Sequence, residues 1–228
     1  MTESRRTPAA PEPAPRSHDA RLRLLLAAER LYAEQGLEAV SLRHICRAAG
    51  NGNNNAVQYH FGDERGLLEA IVAYRVPALD GRRAGLLAAA RADGRDRTVR
   101  GLVDVLMRPL AEEARKPGSR YVGFLGRFGA HPPERHPWWA GGRPAGEVGH
   151  EVSMAILGLL VDVPAPLRSL RLSHLVRLCL SALAGYDRLP PGRPDGPYPG
   201  GDVPYDLYVT DLFDMSAAAL SAPSSAQA

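Results

Sequence analysis

Hydrophobic positions recur at helical spacing along most of this chain, and the polar positions between them mark where each helix starts and stops. Leu24, Ala28, Leu31 and Tyr32 form one stripe, and Gly36 ends it. Ser41 is then a good N-cap for a short helix reaching Ala49. Leu42, Ile45 and Ala49 share the inner face of that helix, and Val40 can pack on Ile45 as a hydrophobic staple. Arg43 and Arg47, four residues apart, point outward. A Gly-bounded polar turn, Gly50 to Gly52, leads to a second short helix predicted at about Asn54 to His60. After Phe61 and Gly62, Asp63 can cap a fourth helix whose apolar stripe is Leu67, Leu68, Ile71 and Tyr74.

Beyond Pro77 the pattern stays helical. Residues 78–92 continue or closely follow the fourth helix. Val99, Leu102, Val103, Leu106 and Leu110 mark a fifth, ending near Lys116 to Gly118. Tyr121, Phe124, Leu125 and Phe128 mark a short sixth, and a Pro- and Gly-rich stretch at 131–149 follows it. Helices are expected at 147–161, 167–188 and 205–220, with a Pro/Gly loop at 190–204. No strand-like alternation competes, so the fold class is all-α. The expected organisation is a disordered N-terminal arm at 1–18, a helix-turn-helix domain at 19–76, a larger helical domain at 77–222 and a disordered tail at 223–228.

Two short helices joined by a tight Gly-containing turn outline a DNA-binding helix-turn-helix. The second helix offers mostly amides. Asn53, Asn54, Asn55 and Gln58 are poor helix formers, but an Asn or Gln can pair bidentately with adenine in the major groove. An Asn cluster after Gly also serves as a turn and a cap, which is the expected role of Asn51 and the capping role of Asn53. The order of Gly36, Ser41, Ile45, Ala48-Ala49-Gly50, Tyr59-His60-Phe61 and Leu67-Leu68 resembles the tetracycline-repressor-like (TetR) family of transcriptional regulators. The turn after Gly50 looks one residue longer than the family's usual form, and the Asn run stands where small residues are usual. The resemblance implies that Tyr59 and His60 sit near the DNA backbone and that Phe61 plugs the core. With Ser41 and Arg43, the expected DNA-contacting set is Ser41, Arg43, Asn53, Asn54, Asn55, Gln58, Tyr59 and His60.

Charge changes this picture in one respect. The chain carries net +3, but between Asp19 and Asp80 seven arginines face eight carboxylates, a net of −1. Affinity for DNA must then come from placement of Arg43, Arg47, Tyr59 and backbone amides, and from dimerisation, rather than from bulk charge. The two cysteines, Cys46 and Cys179, lie far apart on apolar faces and read as reduced core residues. Neither a secretory signal nor a bilayer-length apolar run is present, so a cytoplasmic protein with no membrane partner is expected. His131, His136 and His150 are irregularly spaced and interrupted by prolines, so no metal or cofactor is expected. No phosphate loop, nucleophile elbow or metal-helix motif points to an enzyme.

Two further sets complete the expectations. Tyr121, Phe124, Phe128, Trp138 and Trp139, with Met107, Met154, Leu157 and His174, are the aromatic and Met side chains that could line a cavity for a small apolar or amphipathic ligand; they fit ordinary core as well. The 167–188 helix is apolar over so much of its girth that it should be buried on two sides. Leu172, Val176, Cys179 and Leu183, with Leu207, Leu212 and Met215 of the last helix, are the expected homodimer contact. The TetR resemblance implies such a dimer, a four-helix bundle built from the last two long helices. Together these imply a repressor released from a pseudo-palindromic DNA operator by a ligand. The alternative is a helical sensor or partner-binding protein that kept the fold without operator binding.

Overall fold

The computed structural model describes residues 15–128, 146–189 and 203–224. Trp138, Trp139, His131 and His136 lie outside the described residues, and Phe128 is described in its backbone only. Among the described residues the chain is helical throughout: α1 (Pro15–Gln35), α2 (Leu42–Ala48), α3 (Ala56–Phe61), α4 (Glu64–Asp93), α5 (Val99–Ala114), α6 (Tyr121–Phe128), α7 (Gly146–Leu159), α8 (Ala165–Gly185) and α9 (Tyr205–Ser221). Single 3-10 turns follow α4 (Arg95–Arg97) and α8 (Tyr186–Arg188). None of these helices is long and apolar enough to cross a membrane.

The head is built from α1 to α3 and the start of α4. Leu24, Ala28, Leu31, Tyr32, Val40, Ile45, Val57, Leu67 and Ile71 are all buried, as helical spacing requires. Tyr74, expected on the same stripe, is instead about half exposed. By that point α4 has left the head and runs on without a break through Pro77, so the expected domain boundary falls inside a continuous helix. Pro77 has no N–H to give the Ala73 carbonyl, and both residues are on the solvent side, where water can take that carbonyl. α1 likewise begins at Pro15, inside the segment expected to be a disordered arm; proline is at home in a first helical turn.

In the body α5 is central, packing against α4, α7, α8 and α9, while α6 bridges α1 and α8. α8 corrects an expectation. Leu172, Cys179 and Leu183 are buried within the subunit, Val176 is partly buried against the same core, and Leu212 of α9 is buried too. The Cys179 Sγ lies 3.5 Å from the Ser216 hydroxyl, and Tyr208 donates to the Ala182 carbonyl at 3.1 Å. That stripe of α8 faces its own domain. The apolar residues left exposed are Leu170 and Leu178 on α8 and Leu207 and Met215 on α9. Periodicity finds both apolar sides of such a helix but does not say which one the subunit itself covers.

Candidate nucleic-acid interface

The helix-turn-helix is fixed by its caps. The Ser41 hydroxyl accepts the His44 amide at 3.2 Å, which holds the hydroxyl on its own helix. At the other end Asn51 N–H bonds the Cys46 carbonyl and Gly50 N–H the Arg47 carbonyl, with Gly50 at φ +66°. This is a Schellman end, whose left-handed position a side chain would strain.

The recognition helix starts two residues later than expected, at Ala56. Its asparagines explain the delay. The Asn51 side chain accepts the Asn53 amide, and the Asn53 side chain accepts the Asn55 amide, each at 2.9 Å. Consecutive Asx turns compete with helix formation until the run ends. The Cys46 thiol, buried beneath, meets the Asn54 carbonyl at 3.5 Å.

The outer side of this unit is open. Asn53, Asn54, Asn55 and Gln58 are exposed, and Tyr59 is 80% exposed. Among the described residues, the side chains of Asn54, Asn55 and Gln58 make no hydrogen bond. Arg43 and Arg47 are exposed and form no ion pair among the described residues, while Arg30 and Arg65 are paired with Glu34 and Glu69. His60 sits edge-on to Tyr59, with ring centroids 4.9 Å apart. Burial, and after it the charge of Arg21, hold the His60 imidazole below its usual 6.5, so it is neutral at pH 7. Phe61 is half-buried rather than a full plug: it packs on the core with one face, and the Arg21 guanidinium lies 4.9 Å from its ring centroid. Arg21 was not expected here, since it is forty residues away in sequence.

Sequence reasoning also missed the junction between head and body. Glu29 on α1 is 2% exposed. Arg75 on α4 reaches both its carboxylate oxygens at 2.7 Å and touches Glu113 of α5 at 3.1 Å. Glu113 also takes Ser119 and Lys116 at 2.7 Å, and the Arg120 amide closes on Glu29 at 3.2 Å. Beside it Tyr32 donates to Glu64 at 3.0 Å and packs against Phe124. A lone Glu among Ala and Leu in α1 was the available signal, since a buried acid demands a partner.

The residues expected around a ligand separate in the structure. Met107, Tyr121 and Phe124 are buried in the body, and Leu157 is partly buried. Met154 is 54% exposed and His174 is exposed, so neither joins them. Each lies two residues from a buried position, Val152 and Leu172, and two residues turn a helix by more than half a circle.

Residues 24–71 match the model of a family described as bacterial regulatory proteins, tetR family. Among curated proteins none matches this sequence. The chain is similar to a solved TetR family transcription regulator from Marinobacter aquaeolei VT8, at 18% identity over 90% of this chain and 96% of that one, with a TM-score of 0.50. It is similar to NalD, the secondary repressor of the MexAB-OprM multidrug efflux pump in Pseudomonas aeruginosa, at 19% identity over 88% and 97%, with a TM-score of 0.50. It is also similar to the superantigen PfiT, at 17% identity over 86% and 95%, with a TM-score of 0.51.

Proposed function

The head of this chain is a TetR-family domain and its fold is that of TetR-family regulators, and on that premise we propose that it is a sequence-specific DNA-binding repressor. The observation that carries the reading is the open face of the head: Asn54, Asn55 and Gln58 with unengaged amides beside exposed, unpaired Arg43 and Arg47. Amides there suit adenine edges in a major groove, and Arg43, Arg47 and the Tyr59 hydroxyl suit phosphates. Asn53 and Ser41 contribute by holding the backbone, because their side chains are engaged in caps.

The protein acts as a two-fold dimer on a pseudo-palindromic operator. Leu170, Leu178, Leu207 and Met215 lie on the outer side of the α8–α9 pair, and a second copy covers them. A small molecule held in the body favours one spacing of the two heads and releases DNA. The buried Glu29–Arg75–Glu113 junction carries that change from α5 and α6 to α1.

One observation favours a second reading, a helical partner-binding protein without an operator. The head has no excess of positive charge, and the same fold is found in a chain described as a superantigen. Incubating the full chain with random duplex DNA and sequencing what is retained separates the two. A repressor enriches an inverted repeat; a protein without an operator enriches nothing.

A further inference from the structure

Inside the body, α4, α5, α6 and α7 bring a polar cluster together. Arg83 of α4 is 3% exposed, and its Nε donates to the Leu106 carbonyl of α5 at 3.1 Å. Its Nη1 lies 3.9 Å from the Asp80 carboxylate. That carboxylate caps α7, accepting the Val148 amide at 3.1 Å and the Gly149 amide at 2.9 Å. Gly146 stands against it at φ +85°, and a Cβ there would meet the Asp80 Cγ at 2.4 Å. The acceptors of the cluster are therefore engaged.

One donor is not. Tyr121, the first residue of α6, is 2% exposed, and its ring stacks on Phe124 at 6.0 Å. Its hydroxyl has no hydrogen-bond partner among the described residues. A buried hydroxyl without a partner is destabilising and uncommon, and it calls for a bound group. Burial holds this phenol neutral, above the ordinary tyrosine range, although the Arg83 charge acts the other way.

Resting on the ligand-release reading above, we propose that the Tyr121 hydroxyl and the Arg83 guanidinium face the polar end of the ligand, and that the ligand is an acidic amphiphile, a carboxylate on an apolar body. Both groups are donors, so the ligand must present an acceptor. The positive charge of Arg83 and the amide end of α7 favour an anion there and oppose a cation. The other side chains that α5, α6 and α7 bury in this region, Met107, Phe124 and Ile156, are apolar and match a hydrocarbon body.

The test is calorimetry on the full chain without DNA. Straight-chain carboxylates of about six to twelve carbons are compared with amines of the same lengths, the usual scale of a small-molecule site. The expected result is binding by at least one carboxylate, with the matching amine at least tenfold weaker. Tyr121→Phe should weaken the carboxylate about tenfold while its ligand-free melting temperature stays level or rises, because the hydroxyl removed had no partner. No carboxylate binding, an amine that binds as well, unchanged binding by Tyr121→Phe, or a lowered melting temperature in that variant would each overturn the proposal. DNA release is measured separately. Carboxylate binding that leaves the operator complex intact would sink the release reading alone. Release by amines only would sink this inference alone.

Discussion

Asn53 and Gln58 stand five residues apart in the head and do opposite work. The Asn53 carbonyl oxygen is engaged with the Asn55 amide, whereas the Gln58 amide is exposed and bonded to nothing described. Gln58→Ala and Asn54→Ala are therefore expected to leave stability nearly unchanged and to cost about 1–3 kcal/mol of affinity at one matching base pair. Asn53→Ala is expected to lower stability by about 0.5–2 kcal/mol, as loss of a cap does. Competition binding with single-base operator variants, beside thermal melts, checks both; equal losses on operator and random DNA would remove Gln58 from base reading. His60 adds a pH dependence. Its folded value lies below 6.5, so the free head binds no proton there at pH 7. If a phosphate meets it, the complex takes up a proton, and affinity rises as pH falls from about 7 toward 5.5. His60→Gln should flatten that rise in a binding titration; a rise of the same size in the variant would take His60 off the backbone.

At the scale of elements, the sequence predicted most helices to within a few residues, because the apolar spacing and caps are local properties. Asp63 is an example: its carboxylate accepts the Gly66 amide at 2.8 Å, as its place before an apolar run implied. What sequence did not show depends on long-range placement. The Asn run delays α3 through side-chain bonds that compete with the helix, and Leu172, Cys179 and Leu183 proved to be core because nothing in a doubly apolar helix says which side its own domain takes. Arg75 and Glu29, 46 residues apart, could not be paired from spacing at all. Breaking that buried pair from one side, as in Arg75→Met, leaves Glu29 and Glu113 without their cation and is expected to cost about 3–5 kcal/mol in denaturant unfolding. Glu113 also sets an acid limit. Burial pushes its carboxyl up, but hydrogen bonds from Lys116 and Ser119 and the charges of Lys116 and Arg75 outweigh it, so the folded value lies below 4.5. A depressed carboxyl stabilises above its unfolded value and loses that contribution as pH falls through the folded one. Melting temperature is thus expected to fall below about pH 4.5, and Glu113→Gln should start lower and fall less steeply. A variant that keeps the full acid slope would assign it to other carboxylates.

For the whole molecule the open question is what covers the outer side of α8 and α9. Leu178 and Met215 are about half exposed there, while Leu183 is 3% exposed in the subunit core. Leu178→Glu and Met215→Glu are expected to give folded monomers, since a carboxylate at a buried dimer contact costs several kcal/mol while costing the monomer little. Leu183→Glu is expected to unfold the subunit. Light scattering with circular dichroism distinguishes them, and dimers that survive both surface variants would place the contact elsewhere. The monomers should also lose operator affinity, because a head with no net positive charge holds a single half-site weakly.

The central claim is that the head reads sequence, and selection of bound DNA by the full chain tests it most directly. The expected result is an enriched inverted repeat whose half-sites carry an adenine, with that adenine's enrichment lost in Gln58→Ala. Random duplex recovered without enrichment, from a folded and dimeric protein, would contradict it.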